Sequence, residues 1–362
     1  MNPIRVAIIT NIPTPYRDGV YDHLCENDHI SIKVIYCNKS EPNRNWKSTE
    51  RHHPHAFLDS KQIASNGQYI HISWSIVHRL SAINPDVVIS SGYGPVMLQA
   101  LLWAKLKGKK HIVFTDGSIH SERALSKIHK LARRIFFGLS SAFIGASDKS
   151  INLFSSYGIR NDDIFKSCLC VNNKLFLPKP KQEKQYDILF VGQMIERKMP
   201  LFFADVAEQI QKQRGSCSAL LIGSGPLLES LKKRLDQTSV DYQILGFIQP
   251  AELPKHYASS RIFLFPTEWD PWGVVANEAC ASGLPVLTTS EAGVAGELVI
   301  HRENGFIIPA DIKRWAATAC ELLDNEDLYK SMSKKAILRA NEYNVSRASD
   351  GIVDAITHSL NT

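Results

Sequence analysis

Two carboxylates stand eight positions apart in the segment Phe265–Val286, which reads FPTEWDPWGVVANEACASGLPV. A short apolar run leads into a loop that carries Asp270 and Gly273, and a helical pattern then carries Glu278 about a turn inside. Glycine lets the backbone come close to a ligand, and the free amides and positive dipole end of a helix favour an anion such as a diphosphate. Nearby carboxylates can accept hydrogen bonds from sugar hydroxyls.

A second charged segment, Phe190–Pro200, reads FVGQMIERKMP and predicts a strand that ends in a polar, basic loop before a helix. The cations of this loop are Arg197 and Lys198. Cations here would stabilise the negative charge that develops on a departing nucleoside diphosphate. The alternative is an exposed basic turn without a ligand.

The two segments resemble the retaining glycosyltransferases of family four, also called group one, which have the GT-B fold. The hallmark of that family is an acid, seven residues and then a glutamate in a strand-loop-helix setting, and Asp270 and Glu278 occupy those two places. The family also has Gly-Arg followed by a Lys. Gly192 and Lys198 match this pattern, whereas Gln193 takes the place of the arginine.

The resemblance implies that Asp270 contacts the donor sugar and that Glu278 binds the ribose hydroxyls of the donor nucleotide. Because Asp stands where the family usually has Glu, the acid that reaches the sugar is either Asp270 or Glu268. The backbone amides expected to face the sugar and the phosphates are those of Gly273, Val274 and Val275.

Further matches to the family lie between and around these segments. Lys198 is expected to act on the departing diphosphate, and Arg197 is the candidate for the charge that Gln193 lacks. The family's Gly-Arg-Lys pattern implies donor contacts at Gly192 and Gln193. Its glycine-proline turn implies contacts at Gly223 and Gly225, and its nucleobase loop implies contacts at Phe247 and Ile248.

In the first half of the chain the resemblance is mainly architectural. The loop Asn11–Gly19 follows the opening strand, where the family often has a glycine pair beside the donor phosphates, and the loop Thr115–Ser121 follows a later strand, where many relatives have a histidine near the donor sugar. The alternative is that the first loop only sets a turn and that a single histidine is structural. The candidates in these two loops are Arg17, Gly19, Asp116 and His120.

Short apolar runs alternate with helical patterns in both halves of the chain, beginning at Val6–Thr10 and again at Ile188–Val191. This alternation predicts parallel sheets covered on both faces. We expect an α/β protein with two Rossmann-like, doubly wound domains facing each other across a cleft, of the GT-B type. The predicted boundaries are an acceptor domain at 1–177, a nucleotide-sugar donor domain at 178–345, and a C-terminal helix at 346–362 that packs back on the N-terminal domain.

The composition of the 362-residue chain, 44% hydrophobic and 22% charged, suits packed cores. It contains neither the apolar run of a signal peptide nor a stretch of about 20 apolar residues, so we expect a cytoplasmic protein. The seven cysteines form no C-x-x-C pair and are interpreted as reduced core residues. No Asp-x-Asp motif occurs, so we expect neither a metal nor another cofactor, only a nucleotide sugar as donor substrate.

The basic surplus lies in residues 1–172, with 21 Lys or Arg against 13 Asp or Glu. A helix predicted over 124–137 interleaves cations with apolar residues, a pattern that suits an anionic membrane surface and equally a helix packed on a core. In the first case the protein would sit peripherally at the inner face of the membrane. The cations concerned are Arg123, Lys127, Lys130, Arg133 and Arg134.

These observations together favour a retaining glycosyltransferase that acts in the synthesis of a cell-surface polysaccharide or glycolipid. Its acceptor would be a saccharide or a lipid-linked sugar, and no nucleic-acid partner is expected. Two alternatives stay open: a nucleotide-sugar epimerase on the same fold, and a non-catalytic nucleotide-sugar binder, which the departures at Gln193 and Asp270 would suit.

Overall fold

The structure is a computed structural model that describes residues 3–44, 46, 50–65, 68–123, 125–178 and 183–362. The chain divides into two compact units. Unit 1 comprises residues 1–169 and 345–362, and unit 2 comprises residues 170–344. The sequence placed these two boundaries after residues 177 and 345.

Unit 1 is built on a seven-stranded parallel sheet in the order β3-β2-β1-β6-β7-β8-β9. The strands β4 and β5, which come between β3 and β6 in the sequence, form a separate two-stranded antiparallel sheet. Its elements before residue 169 are β1 Ile4–Thr10, α1 Pro15–Leu24, β2 Ile30–Tyr36, β3 His55–Phe57, β4 Lys61–Ser65, β5 Gln68–Ile72, α2 Ser75–Ile83, β6 Val87–Ser91, α3 Pro95–Leu106, β7 Lys110–Thr115, α4 Ile119–Glu122, α5 Lys127–Leu139, β8 Ala142–Gly145, α6 Asp148–Ser156 and β9 Ile164–Lys166.

Unit 2 is built on a six-stranded parallel sheet in the order β12-β11-β10-β13-β14-β15. Its elements are β10 Tyr186–Val191, α7 Pro200–Arg214, β11 Ser218–Ile222, α8 Leu228–Leu235, β12 Asp241–Ile244, α9 Leu253–Ala258, β13 Ser260–Phe265, α10 Val274–Ala281, β14 Val286–Thr288, β15 Gly305–Ile307, α11 Ile312–Asp324 and α12 Glu326–Asn341.

The two central strands, β1 and β10, are buried on both faces, as their continuous apolar sequences predict. Strand order reverses beside each of them, and in open parallel sheets such a switch point opens a crevice at the carboxyl ends of the strands. The predicted doubly wound sheets are therefore confirmed in both units. The helix predicted over 124–137 begins at Lys127 instead, behind the short α4, and Ala124 lies outside the described residues.

The last helix, α13 Val345–Asn361, belongs to unit 1 although the chain reaches it through unit 2. It packs on α1 and on the strands β7, β8 and β9, of which β9 is the edge of the sheet. His358 Nε2 lies 2.9 Å from Asp163 Oδ1, and a Cβ on Gly351 would lie only 1.8 Å from the carbonyl oxygen of Lys166. The helix can therefore approach β9 this closely only with glycine at position 351.

Replacing Gly351 with Ala should lower the free energy of unfolding by about 2 kcal/mol, because the added methyl group forces α13 away from β9. Gly138→Ala is the matched control: Gly138 is also helical, nothing lies within 4 Å of its Cβ position, and alanine should stabilise the protein by up to about 1 kcal/mol. Chemical denaturation measures both changes. A Gly351→Ala protein as stable as the wild type would contradict this packing.

Candidate functional site

The loops after five neighbouring strands of unit 2 are joined, each to the next, by backbone hydrogen bonds. From β12 to β14 in sheet order, the connecting pairs are Gly223 N to Gly246 O at 2.7 Å, Met194 N to Ser224 O at 2.9 Å, Glu268 N to Arg197 O at 2.9 Å, and Gly293 N to Asp270 O at 2.8 Å. These loops form one continuous surface at the carboxyl ends of the strands, where ligands bind in open parallel sheets.

Two predicted glycines make the closest of these contacts. Gly223 and Gly225 have φ values of 144° and 154°, which side chains rarely adopt. A Cβ on Gly223 would lie 1.8 Å from Gly192 O, and a Cβ on Gly225 would lie 2.5 Å from Met194 O. The glycine-proline turn is thus required for the loops after β10 and β11 to pack together, whatever it also binds.

A carboxylate and two cations meet where the loop after β10 reaches the loop after β13. Arg197 Nη1 donates to Asp270 Oδ2 at 2.9 Å, and Lys198 Nζ donates to the same oxygen. Asp270 Oδ1 accepts from the backbone N–H of Trp272 at 3.0 Å. The Arg197 guanidinium also lies over the ring of Trp269, 4.8 Å from its centroid. The structure therefore brings Asp270 together with two predicted cations that precede it in the chain by 73 and 72 positions.

Burial and charge act in opposite directions on this cluster. Burial raises the pKa of Asp270, but the neighbouring Lys198 and Arg197 outweigh it, and the pKa of the carboxyl lies below its ordinary value. Burial lowers the pKa of Lys198, and the charge of Asp270 offsets part of this change. Asp270 is consequently ionised at neutral pH and holds one negative charge between two positive groups.

Glu268, the other acid considered for the sugar, lies outside the cluster. Its side chain is exposed, and its backbone N–H makes the bond to Arg197 O. Thr267 is buried beside it, and its hydroxyl donates to Arg197 O at 3.0 Å. The loop after β13 is therefore joined to the cationic loop by two hydrogen bonds to the same carbonyl oxygen. Of the two acids, only Asp270 is therefore tied to the predicted cations.

Helix α10 begins directly beside this cluster. Gly273 precedes it with a φ of 100°, and a Cβ there would lie 2.5 Å from the ring of Phe265. The same ring lies 4.7 Å from Lys198 Nζ. Val274 and Val275 are the first two helical residues and are half-buried. The start of α10, with the positive end of its dipole, and the Lys198 ammonium therefore both lie against the Phe265 ring.

Glu278 lies on α10 and is buried, with one oxygen held inside the fold. Tyr257 Oη donates to Oε2 at 2.7 Å, while no hydrogen bond to Oε1 occurs among the described residues. Burial raises the pKa of Glu278 to about 7, and the Tyr257 hydrogen bond counters only part of this rise. Near neutral pH the protonated and the ionised forms of Glu278 are therefore both populated.

The remaining predicted residues of unit 2 line the same row of loops. Gly192 donates its backbone N–H to Ile222 O at 2.9 Å, and Gln193 beside it is exposed. Phe247 follows β12 and is also exposed, whereas Ile248 is half-buried. An exposed aromatic ring at this edge is available to a flat ligand. Their donor contacts stay predictions.

The candidates at the first loop of unit 1 have partners inside that unit. The Arg17 guanidinium donates to Ser167 O and to Cys168 O, both at 3.3 Å, and lies over the ring of Phe114, 4.3 Å from the centroid. Gly19 is on α1, and its Cβ position is in ordinary contact with Val345 of α13. Arg17 therefore connects α1 to the loop after β9 and to Phe114 of β7. These contacts do not support its predicted contact with a phosphate.

Asp116 and His120 lie at the carboxyl end of β7, as predicted, and both side chains are exposed. Burial raises the pKa of Tyr16, which lies in the first turn of α1, and the charge of Asp116 adds to this rise. Ser118 caps α4 by accepting from Ser121 N at 3.3 Å. The geometry does not choose between Asp116 and His120 as the group that acts on a sugar.

Tyr257 belongs to the site and was not predicted, and Gly293 joins the site from the glycine-rich segment after β14. Tyr257 is fully buried and its phenol is the partner of Glu278, while a Cβ on Gly293 would lie 2.1 Å from Pro271 O. The glycine-rich segment after β14 signalled a turn, but its contact with the Asp270 loop depends on the fold. Within the described ranges, no group of three His, Cys, Asp or Glu side chains could hold a metal ion.

The raised pKa of Glu278 makes stability depend on pH. The folded pKa of about 7 lies above the ordinary value of 4.5, so this stabilising contribution is complete below pH 4.5 and is lost as the pH rises through 7. Relative to Glu278→Gln, the free energy of unfolding of the wild type should fall by about 3 kcal/mol between pH 4.5 and pH 8. Denaturation of both proteins across this range measures the difference, in which other titrating groups cancel. Parallel profiles would contradict the assignment.

Comparison with known proteins finds that the segment containing this site is similar to a known family. Residues 172–339 match the family Glycosyl transferases group 1. An uncharacterised glycosyltransferase of Haemophilus influenzae is 27% identical over 179 residues, 49% of this chain and 51% of that protein. A GDP-mannose-dependent alpha-(1-6)-phosphatidylinositol monomannoside mannosyltransferase of Mycobacterium tuberculosis is 26% identical over 150 residues, 39% of each chain. The chain thus spans about half or less of the length of these relatives.

The fold is shared with solved structures over nearly the whole chain. HepE of Anabaena, solved in complex with UDP, superimposes with a TM-score of 0.76 at 16% identity, over 98% of this chain and 99% of that one. This likeness confirms the predicted GT-B-type fold with its two Rossmann-like units. The matched segment 172–339 contains every predicted site residue of unit 2, from Gly192 to Glu278. Residues 172–339, which make up most of unit 2, are thus similar to the group 1 glycosyltransferases.

Proposed function

We propose that this protein transfers a sugar from a nucleoside diphosphate sugar to an acceptor, with the donor bound at the loops of unit 2. The observation that carries the proposal is the cluster of Arg197, Lys198 and Asp270 beside the first turn of α10. It lies within a segment that is similar to a glycosyltransferase family, and the structural relative HepE was solved with UDP.

The diphosphate would be held by positive groups whose attraction to it is strengthened by burial. Lys198 is mostly buried, so its attraction to a phosphate is screened less than that of a surface lysine. The amides that open α10 add the positive end of the helix dipole, and glycine at position 273 leaves them uncovered. Negative charge that builds up on the departing diphosphate would meet cations already in place.

Asp270 and Glu278 would then accept hydrogen bonds from the two sugars of the donor. A donor diphosphate competes with Asp270 for Lys198 and Arg197, which frees carboxylate lone pairs for hydroxyl groups of the transferred sugar. Glu278 Oε1 would accept from the ribose, while Tyr257 keeps Oε2 in position. Glu268 is close enough in sequence to assist at the sugar from the exposed side.

We further propose that transfer proceeds with retention and without a metal ion or another cofactor. The bond between the anomeric carbon and the donor phosphate breaks, and the acceptor oxygen bonds to that carbon on the same face. The acceptor proton passes to the departing phosphate oxygen, so no covalent nucleophile is needed. Arg197 and Lys198 carry the charge stabilisation that a divalent cation would otherwise supply.

The acceptor is proposed to be lipid-linked or otherwise part of the cell envelope, and to bind at unit 1. The mycobacterial relative takes its name from a phosphatidylinositol mannoside acceptor. No helix in the described part of the chain is both long and apolar enough to cross a membrane. We propose that the protein works at the cytoplasmic face and contacts anionic lipid through α5, whose exposed face includes Ile128 and Lys130.

Arg133 does not belong to that membrane surface, which corrects the predicted set. Its Nε donates to Glu122 Oε1 at 3.1 Å, and its guanidinium lies over the ring of Tyr93, 3.5 Å from the centroid. Arg133 falls on the inner face of α5 with Phe136 and Phe137, because positions three and four apart share one helix face. The four exposed cations of the predicted set are Arg123, Lys127, Lys130 and Arg134.

Removing either cation of the cluster should slow the chemical step more than it weakens donor binding. Lys198→Ala should lower kcat at least ~10-fold with a smaller change in KM, because its charge acts on the departing diphosphate. Arg197→Ala should also cost at least ~10-fold if Arg197 replaces the family arginine. Release of nucleoside diphosphate from UDP-glucose and GDP-mannose, with water as acceptor, measures both.

Lys212→Ala is the matched control, since Lys212 is exposed on α7 and pairs only with Glu208 among the described residues. It should leave turnover unchanged. Thermal unfolding should show that all three variants remain folded. A change confined to KM in Lys198→Ala would contradict the role in the chemical step, and full activity in Arg197→Ala would contradict its role as the replacement.

A further inference from the structure

A cavity of about 640 Å³ lies within unit 1, between the short helix α4 and the flanking helices α5 and α6. Arg123, Lys130 and Arg134 line it with their positive groups. Ser156 and Tyr157 add hydroxyl groups from the end of α6. Ile119 and Leu153 complete the lining, so the cavity is open to solvent, strongly basic and partly apolar, and the proposed transfer reaction leaves it without a role.

The positive charge of this cavity has no internal counter-charge. Within the described residues, no carboxylate lies within 4.0 Å of Arg123, Lys130 or Arg134. Glu122 is the acid in the wall, and it is already neutralised, since Arg133 Nε donates to it at 3.1 Å and Tyr157 Oη donates to it at 3.1 Å. Three like charges around one space repel each other, so an anion that enters it is stabilised by all three.

The exposed face of α5 beside the cavity carries an apolar stripe among its cations. Ile128, Leu131 and Ile135 are 79%, 59% and 39% exposed, and their spacing of three and four residues sets them in one stripe. Lys130 and Arg134 are one residue away from members of this stripe and line the cavity. A ligand that suits both features carries an anionic group attached to an apolar body.

We propose that this cavity binds the phosphate of an anionic membrane lipid while the stripe of Ile128, Leu131 and Ile135 enters the interfacial layer. The inference rests on the membrane contact proposed above for α5 and adds a specific headgroup site to it. Guanidinium groups bind phosphate oxygens in a bidentate manner, and the Lys130 ammonium can donate to the same group. A phosphomonoester, with a charge of about −1.5 to −2, should be preferred over a singly charged headgroup.

Sedimentation with vesicles of phosphatidylcholine mixed with either phosphatidic acid or phosphatidylserine, matched in zeta potential, tests the site. The wild type should bind the phosphatidic acid vesicles at least ~10-fold more tightly, because only the exposed monoester can engage all three cations. The triple variant Arg123→Gln, Lys130→Gln, Arg134→Gln should bind both kinds of vesicle equally. Inorganic phosphate at constant ionic strength should abolish the wild-type preference.

The matched control removes three exposed cations outside the cavity: Lys105→Gln, Lys107→Gln, Lys127→Gln. It should weaken binding to both kinds of vesicle and keep the preference. An equal loss of preference in both triple variants would overturn the site in favour of diffuse surface charge. Stabilisation by inorganic phosphate without any vesicle preference would overturn the lipid assignment.

A wild type that binds no anionic vesicle at low salt would overturn both the headgroup site and the membrane contact. Release of nucleoside diphosphate from UDP-glucose or GDP-mannose by the same preparation then shows whether the transfer reaction stands. The two proposals can thus fail separately, because the vesicle readout depends on unit 1 and the donor readout on unit 2.

Discussion

The donor site depends on one ionic interaction, the contact of Asp270 with both Lys198 and Arg197. Two adjacent cations on a loop would repel each other and point into solvent, and the carboxylate between them fixes their positions. The same carboxylate accepts from the N–H of Trp272 and so fixes the turn that leads into α10. Cationic loop, acidic loop and helix start are therefore held in one arrangement before any ligand binds.

This arrangement leaves the site charged in a way that suits a diphosphate. Asp270 cancels one of the two cations, and the other positive charge, together with the first amides of α10, remains for a ligand. Glu278, one turn further along α10, is partly protonated because burial raises its pKa to about 7, so it adds less than one negative charge to the site. The backbone bonds between the five loops keep these groups at fixed separations, so ordering the site on binding costs little entropy.

The sequence predicted the elements well because buried parallel strands leave a strong pattern. Asp270, Lys198 and Glu278 were named through the family resemblance, and their roles stay predictions. It did not predict β3 and β9, which have three residues each and no continuous apolar run, nor β4 and β5, whose sequences KQIAS and QYIHI mix polar and apolar residues. Arg133 was assigned to the surface because a helical pattern alone does not tell which cations turn inward. Tyr257 was missed because its pairing with Glu278 joins two helices 21 residues apart through the fold. Five of the seven cysteines are buried, as predicted, whereas Cys25 is exposed and Cys320 partly so.

The central claim is that the carboxylate of Glu278 accepts hydrogen bonds from the ribose hydroxyls of the donor nucleotide. Calorimetric titration of UDP and of GDP at pH 6, in two buffers of different ionisation enthalpy, tests it most directly. Hydroxyl groups that donate to Glu278 favour its ionised form, so at a free pKa of about 7 binding must release its proton. The account predicts that, for the nucleotide that binds, the wild type releases up to about one proton more than Glu278→Gln, which also binds more weakly. Equal proton release and equal affinity in the two proteins would contradict it.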